Sequence, residues 1–335
     1  MTNPRPSQPP LALTMGDPAG VGGDITLKAW LRRDACPCFF VIDDAQRLRT
    51  LATRLELDVP VEVITDPAMA DSVFATALPV LHQPLAEPVS YGQPDAANAP
   101  ATIASIERAV QLVQSGAASA VVTNPISKDV LYGAGFKFPG HTEFLAHLSG
   151  PDATPVMMLA CPELRVVLAT VHVSLADAVK TLNADTICAV ARITHAALKR
   201  DFAIAEPTIA VAGLNPHAGE GGAMGREEID IIRPAIARLQ AQGIDVQGPY
   251  PPDTMFTAKA RPTYDAALCM YHDQGLIPLK TLDFERGVNT TLGLEFVRTS
   301  PDHGTAFNIA GTGKASELSL MAALQMAGDM AKARG

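Results

Sequence analysis

The sequence predicts an α/β fold built on largely parallel sheets. Short apolar runs rich in Val, Ile, Leu and Ala alternate with longer helix-like runs from residue 11 onward, as when crossover helices join parallel strands. Several strand-like runs end in turn chemistry that carries polar groups. His172 closes RVVLATVH, His217 sits in TIAVAGLNPH and His272 follows AALCMYH. Ligands of open α/β sheets bind outside the carboxyl ends of the strands, so three imidazoles at such ends could meet on one divalent metal. Each histidine taken singly also fits a purely structural role; the glycines and polar groups around all three favour the joint reading. No repeat of fixed period occurs, which argues against a solenoid.

The elements follow in order. LALTM (11–15) reads as a strand feeding a Gly-rich turn and a helix near 24–33. CFFVID (38–43) precedes a helix near 44–56, and VEVI (61–64) follows. The Pro-rich stretch 79–100 reads as a long excursion. An amphipathic pattern predicts a helix over 98–115, then a strand in SAVVTNP (119–125) and helices near 126–134 and 142–149. Strands near 155–160 and 165–172 lead to helices near 174–181 and 184–200 and a strand at 208–213. GREEIDIIRPAIARLQAQG (225–243) has acidic residues early, Arg238 late and Gly243 as a C-cap, the polarity of a helix. A strand at 266–271, short strands to about 298 and a last helix over 316–332 complete the chain. Residues 1–10 read as a disordered leader.

Composition narrows the function classes. At 335 residues and 47% hydrophobic, the chain has length for one or two domains with a large core. It carries 26 Lys and Arg against 35 Asp and Glu, net −9, without a basic run; nucleic-acid binding has no electrostatic support. No apolar stretch approaches the ~18 residues of a membrane span, and MTNPRPSQPP lacks the apolar core of a signal peptide. Five cysteines, without a Cys-x-x-Cys, fit reduced thiols. The expected location is the cytoplasm.

Four segments carry candidate chemistry. MGDPAGVGG (15–23) is neither G-x-G-x-x-G nor a Walker loop; it is either a phosphate or cofactor contact or a tight turn in which Asp17 caps the next helix. In FPGHTEFLAHLSG (138–150), Gly140, His141 and Thr142 stand at a helix entrance suited to an anion, where Thr142 also serves as a plain N-cap. LNPHAGEGGAMGREE (214–228) holds His217 in a loop whose glycines are costly in chain entropy unless a ligand approaches closely. In 271–316, Asp273 stands beside His272, able to orient the imidazole or accept a proton. Lys280, Asn289 and Arg298 supply donors for a phosphate or carboxylate. The loop DHGTAFNIAGTGKA fits an adenosine.

These motifs together (MGDPAGVG, TNPISK, PGHTEFLA, LNPHAGEGG, PPDTMF, YHDQGLIPLK, RGVNTTLGL and RTSPDHGTAFNIAG) resemble the 4-hydroxythreonine-4-phosphate dehydrogenase family, in the family's order and over about residues 11–315. DHGTAFNIAGTGKA also resembles the cofactor loop of isopropylmalate and isocitrate dehydrogenases. The resemblance implies two α/β/α domains around an active-site cleft, isocitrate/isopropylmalate dehydrogenase-like and not a Rossmann domain, divided as 11–128 plus 303–335 and 129–302. It implies a homodimer with the site at the subunit interface. His172, His217 and His272 would hold one divalent metal (Zn, Mg or Co), one of them supplied by the partner subunit. His141, Thr142, Lys280, Asn289 and Arg298 would contact the phosphorylated substrate, and Gly304, Thr305, Ala306 and Asn308 would contact NAD or NADP. Two departures stand out: Gly23-Asp24 where the family has Pro-Glu, and Ala223 where it often has a polar residue.

The expected reaction is metal-dependent oxidation of the secondary alcohol of 4-phosphooxy-L-threonine, then decarboxylation to 3-amino-2-oxopropyl phosphate on the route to pyridoxine 5'-phosphate, with Lys280 or Asp273 moving the proton. The competing readings are a dehydrogenase of threonate or erythronate 4-phosphate, a metal-dependent phosphohydrolase, and a non-catalytic phosphometabolite-binding protein.

Overall fold

The computed structural model describes residues 8–335; most of the expected 1–10 leader lies outside the described residues. Pro10 is already buried, its carbonyl accepting the Ser119 N–H. In chain order the elements are β1 (Leu11–Thr14), α1 (Gly22–Leu31), β2 (Phe39–Asp43), α2 (Ala45–Arg54), β3 (Val61–Ile64), α3 (Ala70–Val73), β4 (Leu78–His82), α4 (Ala99–Gln114), β5 (Val121–Val122), α5 (Lys128–Gly133) and α6 (His141–Ser149). There follow β6 (Val156–Cys161), β7 (Leu164–Leu168), α7 (Leu175–Thr181), α8 (Ala184–Asp201), β8 (Ile209–Ala212), α9 (Arg233–Gln240), β9 (Val246–Tyr250), α10 (Pro252–Met255), β10 (Ala266–Cys269), α11 (His272–Leu282), β11 (Val288–Leu292), β12 (Arg298–Pro301) and α12 (Leu318–Arg334).

The chain divides into two compact units. One runs to Ala153 and resumes over Leu294–Ala333; the other is Thr154–Gly293. The division falls later in the chain than the expected 128/129 and earlier than the expected 302/303. Packing explains the difference. Phe144, Leu145, Leu294 and Phe296 are buried with Ala12, Phe40 and Ile106 in one core, and Phe136 and Phe138 pack on it.

In the first unit the strands run β3-β4-β2-β1-β5-β12, every pairing parallel. Strand β4 takes up the start of the stretch expected to be an excursion. Its Pro79 stands opposite Glu62 of β3, while the register with β2 begins at Val80, so the missing proline N–H falls outside the β2 ladder.

In the second unit the order is β11-β6-β7-β10-β8-β9. Here β6 and β7 form an antiparallel hairpin and β11 is antiparallel to β6, while β7, β10, β8 and β9 are mutually parallel. The expected strand at 165–172 ends at Leu168 and that at 266–271 ends at Cys269. Two further differences come from Gly and Pro content. VQGPY forms β9, and residues 272–282, expected among short strands, form helix α11 with Pro278 inside it. Gly275 lets α11 sit close on the sheet, since a Cβ there would lie 3.1–3.3 Å from Cys269 Sγ, Leu168 Cδ2 and Val166 Cβ. The helix predicted over 225–243 is the π-helical turn Glu228–Ile232 running into α9.

Candidate active site

Strand β10 pairs in parallel with both β7 and β8, so the segments bearing His172, His272 and His217 leave the same edge of the second unit's sheet. Hydrogen bonds tie these exits together. Thr170 Oγ1 donates to the Met270 carbonyl at 2.8 Å. The buried Gln274 accepts the Met270 N–H and donates to the Gly213 carbonyl, each at 2.7 Å, linking the start of α11 to the end of β8. The imidazoles of His172 and His272 stand 5.8 Å apart, centroid to centroid. They line a cavity of about 290 Å³ with Thr170, Val171, Tyr271 and Asp273. His272 Nδ1 is 2.8 Å from Asp273 Oδ1, the arrangement that fixes a ligating imidazole and leaves Nε2 for a metal.

His217 does not line this cavity. Among the described residues, no three His, Cys, Asp or Glu side chains of one chain gather around a common point suited to a metal. The His217 loop is nonetheless built, not loose. Buried Glu228 accepts the Leu214 and Asn215 N–H groups at 2.8 and 2.7 Å through Oε1 and the Asn215 side chain at 2.9 Å through Oε2. His217, Ala218 and Glu220 have φ of 52°, 51° and 43°. Left-handed non-glycine residues cost about 1–3 kcal/mol each and cluster where function over-determines the backbone.

Lys280 lies on α11, its ammonium 5.9 Å from the centre of the Phe284 ring. Asn289 lies on β11 opposite Leu159, and its buried Oδ1 has no partner within the chain.

The first unit gathers a separate set. Arg298 on β12 is buried and donates from Nη2 to Thr123 Oγ1 at 2.7 Å; burial pushes its pKa down to about 10, leaving it a cation at neutral pH. Gly140 is the N-cap of α6, and His141 and Thr142 form its first turn. His141 is held well below the ordinary imidazole value by burial, with the nearby charges of Arg298 and Lys128 adding to it. Its buried Nε2 has no partner within the chain. A Cβ on Gly140 would lie 3.4 Å from Lys128 Nζ. His141, Arg298, Lys128 and the helix N-terminus thus form one positively biased cluster. His147 is exposed, its ring 5.0 Å from that of Phe138.

Also in the first unit, β1, β5 and β12 are parallel neighbours, so loops 15–21 and 302–306 leave one sheet edge together. Asp17 accepts the Ala19 N–H and does not cap α1. Val21 N–H donates to the Thr305 carbonyl at 3.0 Å, and a Cβ on Gly20 would lie 2.9 Å from that oxygen. The glycines of the first loop therefore permit close backbone packing against the loop holding Gly304, Thr305, Ala306 and Asn308. Ala306 is left-handed at φ 43°, and Gly304 and Asn308 are exposed.

Comparison with known proteins shows the family of the chain. The family model described as pyridoxal phosphate biosynthetic protein PdxA matches residues 34–327. The chain belongs to the PdxA family. It is 54% identical to the 4-hydroxythreonine-4-phosphate dehydrogenase of Caulobacter vibrioides, covering 97% of this chain and 98% of the relative. It is 53% identical, with the same coverage, to that of Bradyrhizobium diazoefficiens. The crystal structure of the Klebsiella pneumoniae 4-hydroxythreonine-4-phosphate dehydrogenase superposes with a TM-score of 0.87 at 40% identity over 96% of this chain and 99% of that one. A terephthalate 1,2-cis-dihydrodiol dehydrogenase from Burkholderia xenovorans matches at 30% identity and a TM-score of 0.64, over 95% and 96% of the two chains. The PdxA fold thus carries dehydrogenases whose named substrates differ.

Within this PdxA chain, some site residues lay outside the sequence reading. Thr123 and Lys128 are the first and last residues of the TNPISK motif, but nothing in their spacing marks them as neighbours of His141 and Arg298. Thr170, Gln274 and Glu228 act through tertiary hydrogen bonds.

Proposed function

We propose that this chain oxidises the secondary alcohol of 4-phosphooxy-L-threonine, passing hydride to NAD+ or NADP+, and that the resulting β-keto acid loses carbon dioxide to leave 3-amino-2-oxopropyl phosphate. The observation that carries the reading is the shared sheet edge from which β7, β8 and β10 release His172, His217 and His272 in a chain of the PdxA family. The donor set fits a divalent cation. His172 and His272 face one cavity, and Asp273 fixes the second imidazole. His172, His217 and His272 would hold a zinc, magnesium or cobalt ion, which would supply Lewis acidity for the oxidation.

The chain's own groups do the rest. In the first unit Arg298, Thr142 and His141 are donors for a phosphate or carboxylate, and in the second unit Lys280 and Asn289 are; a neutral His141 offers a hydrogen bond without adding to the local charge. Lys280 moves the alcohol proton, and Asp273 holds His272 in place. Thr305, Ala306 and Asn308 with Gly304 receive the dinucleotide. Val173 and Leu175, both exposed, line the His172–His272 cavity, and Val179 on α7, Ile277 on α11 and Phe284 just after it are exposed apolar side chains too. Exposed apolar side chains of this kind mark an interface. A second copy of the chain covers them, and the homodimer completes each metal site with one histidine from the partner. The five free cysteines suit a cytoplasmic enzyme.

Metal-loaded protein should reduce NAD+ or NADP+ with 4-phosphooxy-L-threonine and release carbon dioxide in equal amount, with no inorganic phosphate. A higher kcat/KM for threonate or erythronate 4-phosphate would replace the substrate, and phosphate release without NADH would replace the reaction class.

A further inference from the structure

The loop from His303 to Ala315 carries three glycines, at 304, 311 and 313. A free loop of this kind would have to be ordered each time a nucleotide binds, at a cost in chain entropy. In the structure it is already held, almost entirely through its backbone. Both carboxylate oxygens of Asp24, on the first turn of α1, accept the Gly311 N–H at 3.0 and 3.2 Å. One turn later Lys28 Nζ donates to the Gly313 and Ala315 carbonyls at 2.5 and 2.6 Å. From α2, Arg54 Nε donates to the Gly311 carbonyl at 2.9 Å while its guanidinium lies 5.3 Å from the centre of the Tyr91 ring. Tyr91 closes the remaining side, since a Cβ on Gly311 (φ 68°) would lie 2.8 Å from Tyr91 Cγ.

We propose that Asp24, Lys28 and Arg54 form a clamp that holds loop 303–315 in its nucleotide-binding shape, with Asp24 as its principal positioning residue. The inference rests on the reading that this loop receives NAD(P). Asp24 is completely buried, and a buried carboxylate is costly unless its hydrogen bonds and neighbouring charges offset desolvation. Here burial still pushes the Asp24 pKa up, and the Gly311 and Gly313 N–H groups, its own N–H and then Arg47 offset part of that cost. Arg47 reaches its place because residue 23 is glycine: a Cβ there would lie 3.1 Å from its guanidinium nitrogens and 2.6 Å from Leu51 Cδ2. The Gly23-Asp24 pair, where this chain departs from the family pattern, is therefore one coupled device. The clamp grips the inner side of the loop, while Gly304 and Asn308 at its rim are left exposed. Its product is preorganisation, so it acts on dinucleotide affinity and not on the metal or the substrate phosphate.

NADH binding, followed by nucleotide fluorescence in the absence of substrate, tests this without turnover. Asp24→Ala should weaken NADH by about tenfold to a hundredfold, the worth of one charge-assisted hydrogen bond, and leave the KM of the phosphorylated substrate unchanged. Asp24→Asn keeps one acceptor and should fall between. Lys28→Met provides the same test at a partly exposed position if Asp24→Ala does not fold. Unchanged NADH affinity in folded Asp24→Ala, or in Lys28→Met if only that variant folds, overturns the clamp. The double variant Thr305→Ala, Asn308→Ala separates the two ideas: if it binds NADH normally, the loop is not the cofactor site; if it binds weakly while the clamp variants bind normally, only the clamp fails.

Discussion

His141 is the side chain whose chemistry the fold alters most directly in the proposed anion-binding cluster. Burial, then Arg298 and Lys128, lower its pKa well below 6.5, so it is neutral in the folded protein near neutral pH. An unfolded chain would protonate it at about 6.5, and the unfolded state therefore binds more protons below that value. Stability must fall as pH drops from about 6.5 toward the depressed folded value. His141→Asn should flatten this dependence, seen as a smaller change in urea midpoint between about pH 7.5 and about pH 5.5. An unaltered slope would mean that His141 is not the group responsible. Arg298 gives a second test. Its planar fork cannot be reproduced by lysine, so Arg298→Lys should raise the KM of the phosphorylated substrate by about tenfold to a hundredfold and leave that of NAD+ unchanged. Weakened NAD+ binding with normal substrate KM would reassign the residue to the cofactor. At this scale much of the proposed site was legible, because histidines, Asp273 and Arg298 announce their chemistry by type. Lys128 and Gln274 were not, because their roles depend on what the fold brings beside them.

At the scale of elements, α11 decides whether the histidine edge exists. It begins at His272, carries Lys280 and rests on β7 and β10 through Gly275. Gly275→Val would push branched methyls into Cys269, Leu168 and Val166, an overpacking worth about 1–3 kcal/mol. The variant should lose metal affinity along with stability, although residue 275 touches no ligand. Retained metal at a lowered unfolding midpoint would show that α11 does not position His272. This helix was invisible to pattern reading because Gly275 and Pro278 are breakers in any local scale; close packing on the sheet overrides them. The same cause hid β4 and β9, whose Pro79, Gly248 and Pro249 read as loop. The long, strongly periodic helices α4 and α8 were legible to within a residue or two, and the parallel direction of β7, β8 and β10, though not their order, was implied by the alternation of strands and helices.

At the scale of the whole molecule, the proposed function has a second copy of the chain complete each metal site. The alternation of strands and helices foretold an α/β fold, and the motif order foretold the family, but the boundaries between the two units depend on side chains such as Phe144 and Leu294 choosing a core, which no local pattern encodes. A mixed dimer of His217→Ala and His272→Ala chains should regain activity if these two ligands come from different subunits, since one of its two sites is then intact. Inactive, verified heterodimers would place that pair on one chain.

The claim on which the account turns is that His172, His217 and His272 share one divalent ion. Metal content of the purified His172→Ala, His217→Ala and His272→Ala proteins, measured beside circular dichroism and unfolding midpoints, tests it most directly. Each variant should lose its bound ion and its NADH formation while keeping the fold. Stoichiometric metal retained in all three would contradict it.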